Sequence, residues 1–141
     1  MGVGFVRMTI PGRPITKKNH SQIIRSKDGR PFIVPSRQYK EYQDGAGWHL
    51  KGKGQKLCGR YNVKCLYYMP TKHRVDLAYL LAATCDILVH YGVLEDDNSG
   101  IIASHDGSKV LYDKENPRCE IEIEEYKTSG EISPDMTECT R

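Results

Sequence analysis

The chain has 141 residues, of which 38% are hydrophobic, a net charge of +3 and five cysteines. This length suits one domain with its own core, and the sequence has neither a membrane-length apolar run nor the apolar segment of a signal peptide. Because the cysteines are odd in number and form no C-x-x-C motif, we expect reduced thiols in a cytoplasmic protein that does not associate with membranes.

The first part of the chain is predicted to form a strand and a hairpin. Residues 4–10 have strand composition and stop at Pro11, which cannot continue a ladder of hydrogen bonds. A loop rich in proline, glycine and cations follows over residues 11–22. Residues 23–34 hold two β-branched runs around a Lys-Asp-Gly turn, a pattern typical of a β-hairpin.

A first helix is predicted over residues 37–50, with Ser36 as its N-cap. Gly45 and Gly47 weaken the second half of this helix, because glycine has a low helix propensity. The helix is followed by residues 51–60, a basic and glycine-rich connector.

The clearest helix lies in the second half of the chain. Apolar residues recur at spacings of three and four from Leu77 to Tyr91, which gives the helix one apolar face. Asp76 is a natural N-cap, and Gly92 is a natural residue to end the helix. Three further segments are predicted to be strands: 61–69, 100–105 and 118–126.

The last of these strands alternates Cys119, Ile121 and Ile123 with glutamates, so one of its faces is predicted to be buried. The order strand, hairpin, helix, strand, helix, strand, strand predicts a small α+β domain, in which helices pack on one face of a mixed β-sheet. We assign residues 1–126 to this domain. Residues 127–141 have no periodicity and are predicted to form a disordered tail.

Charge is distributed unevenly along the chain. Residues 1–60 hold 13 Lys and Arg against 3 Asp and Glu, whereas residues 61–141 hold 8 against 15. Such blocks suggest a surface for a polyanion beside an acidic site or tail. The alternative is an ordinary solvated basic face followed by an acidic end.

Three consecutive acids, Glu95, Asp96 and Asp97, follow the second helix. Adjacent carboxylates repel one another, so a fold that keeps them supplies a counter-ion, a metal ion or water. A helix of about 15 residues is about 22 Å long, which would place Asp76 and these acids at opposite ends. They can share a metal ion only if the chain after Gly92 folds back along the helix, or if the helix is broken.

Other interpretations of these acids stay open. Asp76 on its own is explained by N-capping, and Asp96 with Asp97 is explained by a solvated turn. A calcium loop is disfavoured, because the spacing of Asp96, Asn98 and Gly100 is not followed by the later ligands of such a loop.

Four segments together carry a resemblance to a known family: IPGRPITKKNHSQ, YYMPTKHRVDLAYLLAATCDIL, YGVLEDDNSGIIASHDGSKVLYD and NPRCEIEIEE. A strand that ends in Met-Pro, a basic run, Asp-Leu, an amphipathic helix and then Leu-acid-Asp-Asp form a long ordered pattern. From about Val3 to Glu125, excluding the middle connector, the chain resembles the RusA family of Holliday junction resolvases, in particular its phage and prophage members.

The resemblance implies a Mg²⁺-dependent homodimeric endonuclease, with Mn²⁺ as a possible substitute, that acts in DNA recombination and repair. Such an enzyme binds four-way DNA junctions and nicks two strands of like polarity symmetrically, in a bacterial or phage-infected cell. The catalytic, metal-binding acids of the family fall on Asp76 and Asp97, and Asp96 is an accessory catalytic acid. The family therefore brings the two acidic points together.

Cations near these acids are predicted to contact the DNA backbone. The run Lys72, His73 and Arg74 stands immediately before Asp76, so it presents positive charge beside the expected metal site. A second set of residues that can donate to phosphates lies near the N-terminus: Arg13, Lys17, Lys18 and Asn19.

The chain departs from the best-known members of the family at three positions. Ala78 replaces a second aspartate, Tyr79 replaces an asparagine and Ala82 replaces a catalytic lysine. These substitutions favour one alternative, a junction-binding protein with weak or absent turnover. A nuclease that prefers flaps or forks to junctions is a further, weaker alternative.

Overall fold

The computed structural model of the protein describes residues 5–16, 21–35, 37–50, 57 and 59–126. Within these residues the elements follow in the order β1 (Phe5–Pro11), β2 (Ser21–Arg25), β3 (Pro31–Pro35), α1 (Arg37–Leu50), β4 (Tyr61–Met69), α2 (Leu77–His90), β5 (Ile102–Ser104), β6 (Lys109–Tyr112) and β7 (Arg118–Glu125). Ser36, most of the connector and the predicted tail lie outside the described residues.

Five of the strands form one mixed sheet. β7 lies between β1 and β4 and is antiparallel to both, whereas β5 and β6 are parallel to β4 and follow one another along its other edge. β2 and β3 pair separately as the predicted hairpin. The α+β class with a mixed sheet is therefore confirmed.

The core lies between this sheet and the two helices. Cys119, Ile121 and Ile123 of β7 are buried, as their alternation with glutamates predicts, and every second residue of β4 from Val63 to Met69 is buried beside them. The Tyr67 hydroxyl donates to Leu80 O at 3.0 Å and lies 2.7 Å from Thr84 Oγ1, so β4 is tied directly to α2. Burial raises the pKa of Tyr67, which keeps this hydroxyl protonated.

The first helix continues through Gly45 and Gly47, the two residues predicted to weaken its second half. Gly47 has a role in packing. A Cβ atom at residue 47 would lie 2.7 Å from the ring of Tyr91, so only glycine permits this contact. The Tyr91 hydroxyl donates to Gln43 O at 2.8 Å, which fixes the end of α2 against α1. Glycine here serves close helix packing.

Two strand predictions differ from the structure. The strand predicted over 100–105 is only Ile102–Ser104, because residues 98–101 form a turn in which Asn98 O accepts the backbone N–H groups of Ile101 and Ile102, each at 2.9 Å. β6 was not predicted at all.

No helix among the described residues has the length and apolar character needed to span a bilayer.

Candidate active site at one end of the sheet

Asp76 is held at the first turn of α2. Its Oδ1 accepts the backbone N–H of Ala78 at 3.2 Å, and its carbonyl oxygen accepts those of Tyr79 and Leu80 at 3.1 Å. Asp76 is therefore the N-cap that the sequence predicts. The side chain is exposed, and within the described residues no donor is bonded to Oδ2, so this oxygen can bind a ligand.

A pocket of about 260 Å³ opens beside Asp76, between residues 13–16 and the loop that joins β4 to α2. Its lining consists of Arg13, Pro14, Thr16, Met69, Thr71, His73, Arg74, Val75, Asp76 and Leu80. Three of the residues predicted to bind DNA thus share one pocket with a predicted catalytic acid. Because Pro14 and Thr16 are buried, the segment that carries Arg13 is anchored to the core.

Lys72, the other cation of this loop, lies over the ring of Tyr112. Its Nζ is 5.0 Å from the centroid of the Tyr112 ring, at the end of β6. Tyr112 is the register partner of Met69, which lines the pocket of Asp76. The remaining residues predicted to bind DNA lie outside the described residues, directly after Thr16 in the chain: Lys17, Lys18 and Asn19.

A turn at Gly92 ends α2. Gly92 has a φ of 75°, and Leu88 O accepts the backbone N–H groups of Val93 at 2.8 Å and Leu94 at 3.4 Å. Leu57 donates to Val93 O and accepts from the backbone N–H of Glu95, which holds the turn from its outer side. The backbone at Glu95, the first of the three acids, is therefore held by hydrogen bonds.

The two aspartates of this turn have different surroundings. Asp96 Oδ1 accepts the backbone N–H of Asp97 at 2.7 Å, and Asp96 Oδ2 accepts from the side chain of Asn98 at 3.1 Å. Both oxygens of Asp96 therefore hold the turn together. The Asp97 carboxylate is exposed, and no donor among the described residues is bonded to it.

The charge of Asp97 acts on the Cys85 thiol of α2. Burial, and after it the neighbouring Cys65 and Asp97, raise the pKa of the Cys85 thiol to about 12. Cys85 is nine residues after Asp76, roughly 13 Å along the helix axis at 1.5 Å per residue. The residues on either side of Asp97 bond near the start of β4: Leu94 forms a bridge with Leu57, and Ile101 accepts the backbone N–H of Tyr61. Asp97 does not line the pocket of Asp76, and a metal site shared by the two acids stays a prediction.

The donor set is suited to a hard cation. Carboxylate oxygens are the ligands that Mg²⁺ prefers, and one or two of them suffice when water and substrate phosphate complete the octahedron. Asp76 and Asp97 each keep at least one oxygen without a donor from the described residues. Groups of three or more His, Cys, Asp or Glu side chains that could hold a metal ion do not occur within the described part of the chain.

Residues 11–124 match the family model described as Endodeoxyribonuclease RusA. The chain belongs to the RusA family. The matched range holds Asp76, Asp97 and all the cations discussed above, and membership implies endonuclease activity of the Holliday junction resolvase type. No curated protein matches the chain.

Two of the positions at which this chain departs from the best-known RusA proteins lie at the surface. Ala78 and Ala82 are exposed and one helical turn apart on α2, and Tyr79 between them is half-buried. Methyl groups therefore face solvent at the two positions for which the resemblance implies charged groups.

No sequence motif marks Tyr112, whose register partner Met69 lines the pocket of Asp76. Its strand, β6, is short, and three of its four residues are exposed. The segment Lys109–Tyr112 does hold a β-branched residue, a leucine and an aromatic residue, which was the available signal.

Proposed function

We propose that the protein is a Mg²⁺-dependent endonuclease that resolves four-way DNA junctions by paired, symmetric nicks. The observation that carries this proposal is the pocket in which Arg13, His73 and Arg74 surround Asp76, in a chain that belongs to the RusA family. Three groups that can donate to phosphate beside an exposed carboxylate suit a phosphodiester substrate.

Asp76 and Asp97 would hold the metal ion, and Asp96 would keep the turn of Asp97 in place. When bound, Mg²⁺ supplies an activated water and neutralises charge on the phosphate in the transition state. Asp76 is oriented for this role by its N-cap hydrogen bond to Ala78. Asp97 is oriented by the turn that Asp96 and Asn98 close.

The cations orient the DNA strand over the acids. Arg13, His73 and Arg74 contact phosphates on the pocket side of Asp76, and Lys72 contacts a phosphate on the side of β6. Lys17, Lys18 and Asn19 extend this track. A homodimer supplies two such sites related by a two-fold axis, which matches the approximate symmetry of a four-way junction.

A second candidate is a junction-binding protein with little or no turnover. It is favoured by the exposed Ala78 and Ala82, which leave α2 without charged groups at two positions close to Asp76. This candidate keeps the same DNA track and differs only in the chemistry.

A synthetic four-way junction, incubated with the protein in Mg²⁺ and in Mn²⁺, distinguishes the two candidates. We expect paired nicks at opposed positions in Mg²⁺, none in EDTA and none on a linear duplex of the same sequence. A junction that is retarded on a gel but stays intact in both metals would establish the second candidate. Faster cleavage of flaps or forks than of junctions would establish a nuclease of different structural preference.

A further inference from the structure

The edge strand β6 presents an exposed pair of side chains on the helix face of the sheet. Val110 and Tyr112 are the register partners of Tyr67 and Met69 in the parallel β4–β6 pair, so each pair shares one face. Tyr67 and Met69 are buried, and Tyr67 bonds to α2. Their partners remain 37% (Val110) and 47% (Tyr112) exposed.

The Tyr112 ring has a lysine beside it and is followed by a hydrogen-bonded turn. Lys72 Nζ lies 5.0 Å from the ring centroid. The residue after Tyr112, Asp113, donates its backbone N–H to Met69 O at 2.9 Å and accepts from Arg118 at 2.9 Å. The backbone that carries the ring is thus held next to the strand end that lines the Asp76 pocket.

We propose that Tyr112, together with Lys72, is a stacking platform for one unpaired nucleobase of the bound DNA, and that it helps to distinguish branched from linear substrates. Aromatic side chains stack on bases of any sequence, and a neighbouring lysine attracts the phosphate of the same nucleotide. In a linear duplex both faces of each base are covered by its neighbours. A branch point exposes the face of a base, which is the partner this ring can accept.

This inference deepens the proposed function and rests on it. Lys72 would move from the ring to the strand's phosphate as the base takes its place, because both contacts are within reach of a flexible ammonium side chain. Tyr112 would touch the substrate without taking part in the chemistry, so its effect belongs to junction binding.

The chain supplies a matched control at the opposite end of β4. Arg60 lies over the Tyr126 ring, also 5.0 Å from its centroid. Asp106, Glu124 and Glu125 line the same pocket as Tyr126, and their charges would repel DNA. Tyr126→Leu therefore removes a similar ring and cation pair where no DNA is expected.

Affinity for junction and for duplex is measured in EDTA, so that cleavage does not interfere. We expect Tyr112→Leu to weaken junction binding by about tenfold or more, as for the loss of one base stacked on an aromatic ring. Tyr112→Phe and Tyr126→Leu should stay within about twofold of wild type. Duplex affinity should be unchanged in all three variants.

A second measurement compares the wild-type protein with Tyr112→Leu on junctions in which abasic nucleotides are placed one at a time around the branch. One abasic position should weaken wild-type binding by about tenfold, and that loss should shrink to about twofold in Tyr112→Leu. Three outcomes would overturn the inference: unchanged junction affinity in Tyr112→Leu, an equal loss on duplex, or a loss that coincides with dissociation of a dimer in sedimentation. If wild type does not prefer junctions over duplex, the proposed function itself fails.

Discussion

The two ends of β4 face two pockets of opposite character. At the end that leads to α2, Arg13, His73 and Arg74 surround one acid, Asp76, in a pocket of about 260 Å³. At the start of β4, a larger pocket of about 420 Å³ is lined by Asn62, Ser104, Asp106, Glu124, Glu125 and Tyr126. The larger cavity is the acidic one. Charge, and not volume, therefore indicates where a polyanion can bind.

The polar groups at the two ends are also used differently. Asn62 is buried, and its side-chain amide bonds to neighbouring strands and turns of the fold. Its Oδ1 accepts from Ser104 and from the backbone N–H of Asp106, and its Nδ2 donates to Asp106 O at 3.1 Å. Asp76, at the other end, is exposed and keeps one oxygen without a donor from the described residues. One end stabilises the sheet, and the other leaves groups available for a substrate.

The largest effect that would test this comparison is expected at Asp76. Asp76→Asn keeps the N-cap, because asparagine caps helices as well as aspartate, but it removes the charge that would hold the ion. Nicking of a four-way junction in Mg²⁺ should fall by several orders of magnitude, with unchanged thermal stability. Asp106→Asn, at the acidic end, is the control and should nick like wild type. Equal losses in both variants would contradict the assignment of the two ends.

The next largest effect concerns salt. If the basic end lines a phosphate track with six contacts, junction affinity should fall about 10³-fold between 50 and 200 mM salt. Arg13→Gln and Arg74→Gln should each reduce the slope of log affinity against log salt by about 1, whereas Arg60→Gln at the other end should not change it. An affinity that hardly depends on salt would count against nucleic-acid binding altogether.

A moderate effect is expected from the exposed alanines of α2. Ala78→Asp and Ala82→Lys have room for the larger side chains, since both positions face solvent. Each should raise the nicking rate, by about tenfold or more for the lysine, because it can stabilise developing charge. Junction affinity should stay within a few-fold. If both variants nick more slowly than wild type, α2 is a working variant of the family pattern.

The sequence predicts the fold best where a burial pattern is long. α2 and β7 repeat their apolar residues over two or more turns or pleats, and both were located within a residue or two. β6 has only four residues and lies at the edge of the sheet. Val110 and Tyr112 share a face with buried residues of β4 but are themselves partly exposed, so β6 has no burial pattern that the sequence could reveal. Tertiary pairing with β4 decides its conformation.

The candidate site was predictable only in part for a similar reason. N-capping identifies Asp76 from local sequence, and the family resemblance identifies Asp97. The approach of Arg13 to His73 and Arg74 spans about 60 residues, so no local pattern could reveal it. The course of the chain before Asp97 depends on hydrogen bonds that Leu57 makes with Val93 and Glu95, which are also tertiary.

The smallest expected effect concerns the turn behind Tyr112, at the basic end. Hydrogen bonds from Arg118, and then from the backbone N–H groups of Asn116 and Glu115, lower the pKa of Asp113. A lowered pKa in the folded state means that the contribution of Asp113 to stability is complete above its unfolded pKa of about 3.9, and is lost as pH falls through the folded value.

Asp113→Asn should therefore flatten the decrease in melting temperature at acid pH and change the melting temperature at neutral pH only slightly, because water screens the ion pair of this partly exposed carboxylate. Melting curves from about pH 2 to 6 measure this. Parallel curves for variant and wild type would show that the turn does not depend on the charge of Asp113.

The central claim, that Asp76 and Asp97 hold one metal ion, is tested most directly by a double-mutant cycle of nicking rates. If the two carboxylates serve the same ion, Asp97→Asn should reduce nicking by several orders of magnitude, and Asp76→Asn with Asp97→Asn together should be little worse than either alone. Junction binding in EDTA should be unchanged or tighter, since a negative charge facing phosphates has gone. An Asp97→Asn variant that nicks within about tenfold of wild type, or losses that simply multiply in the double variant, would contradict the claim.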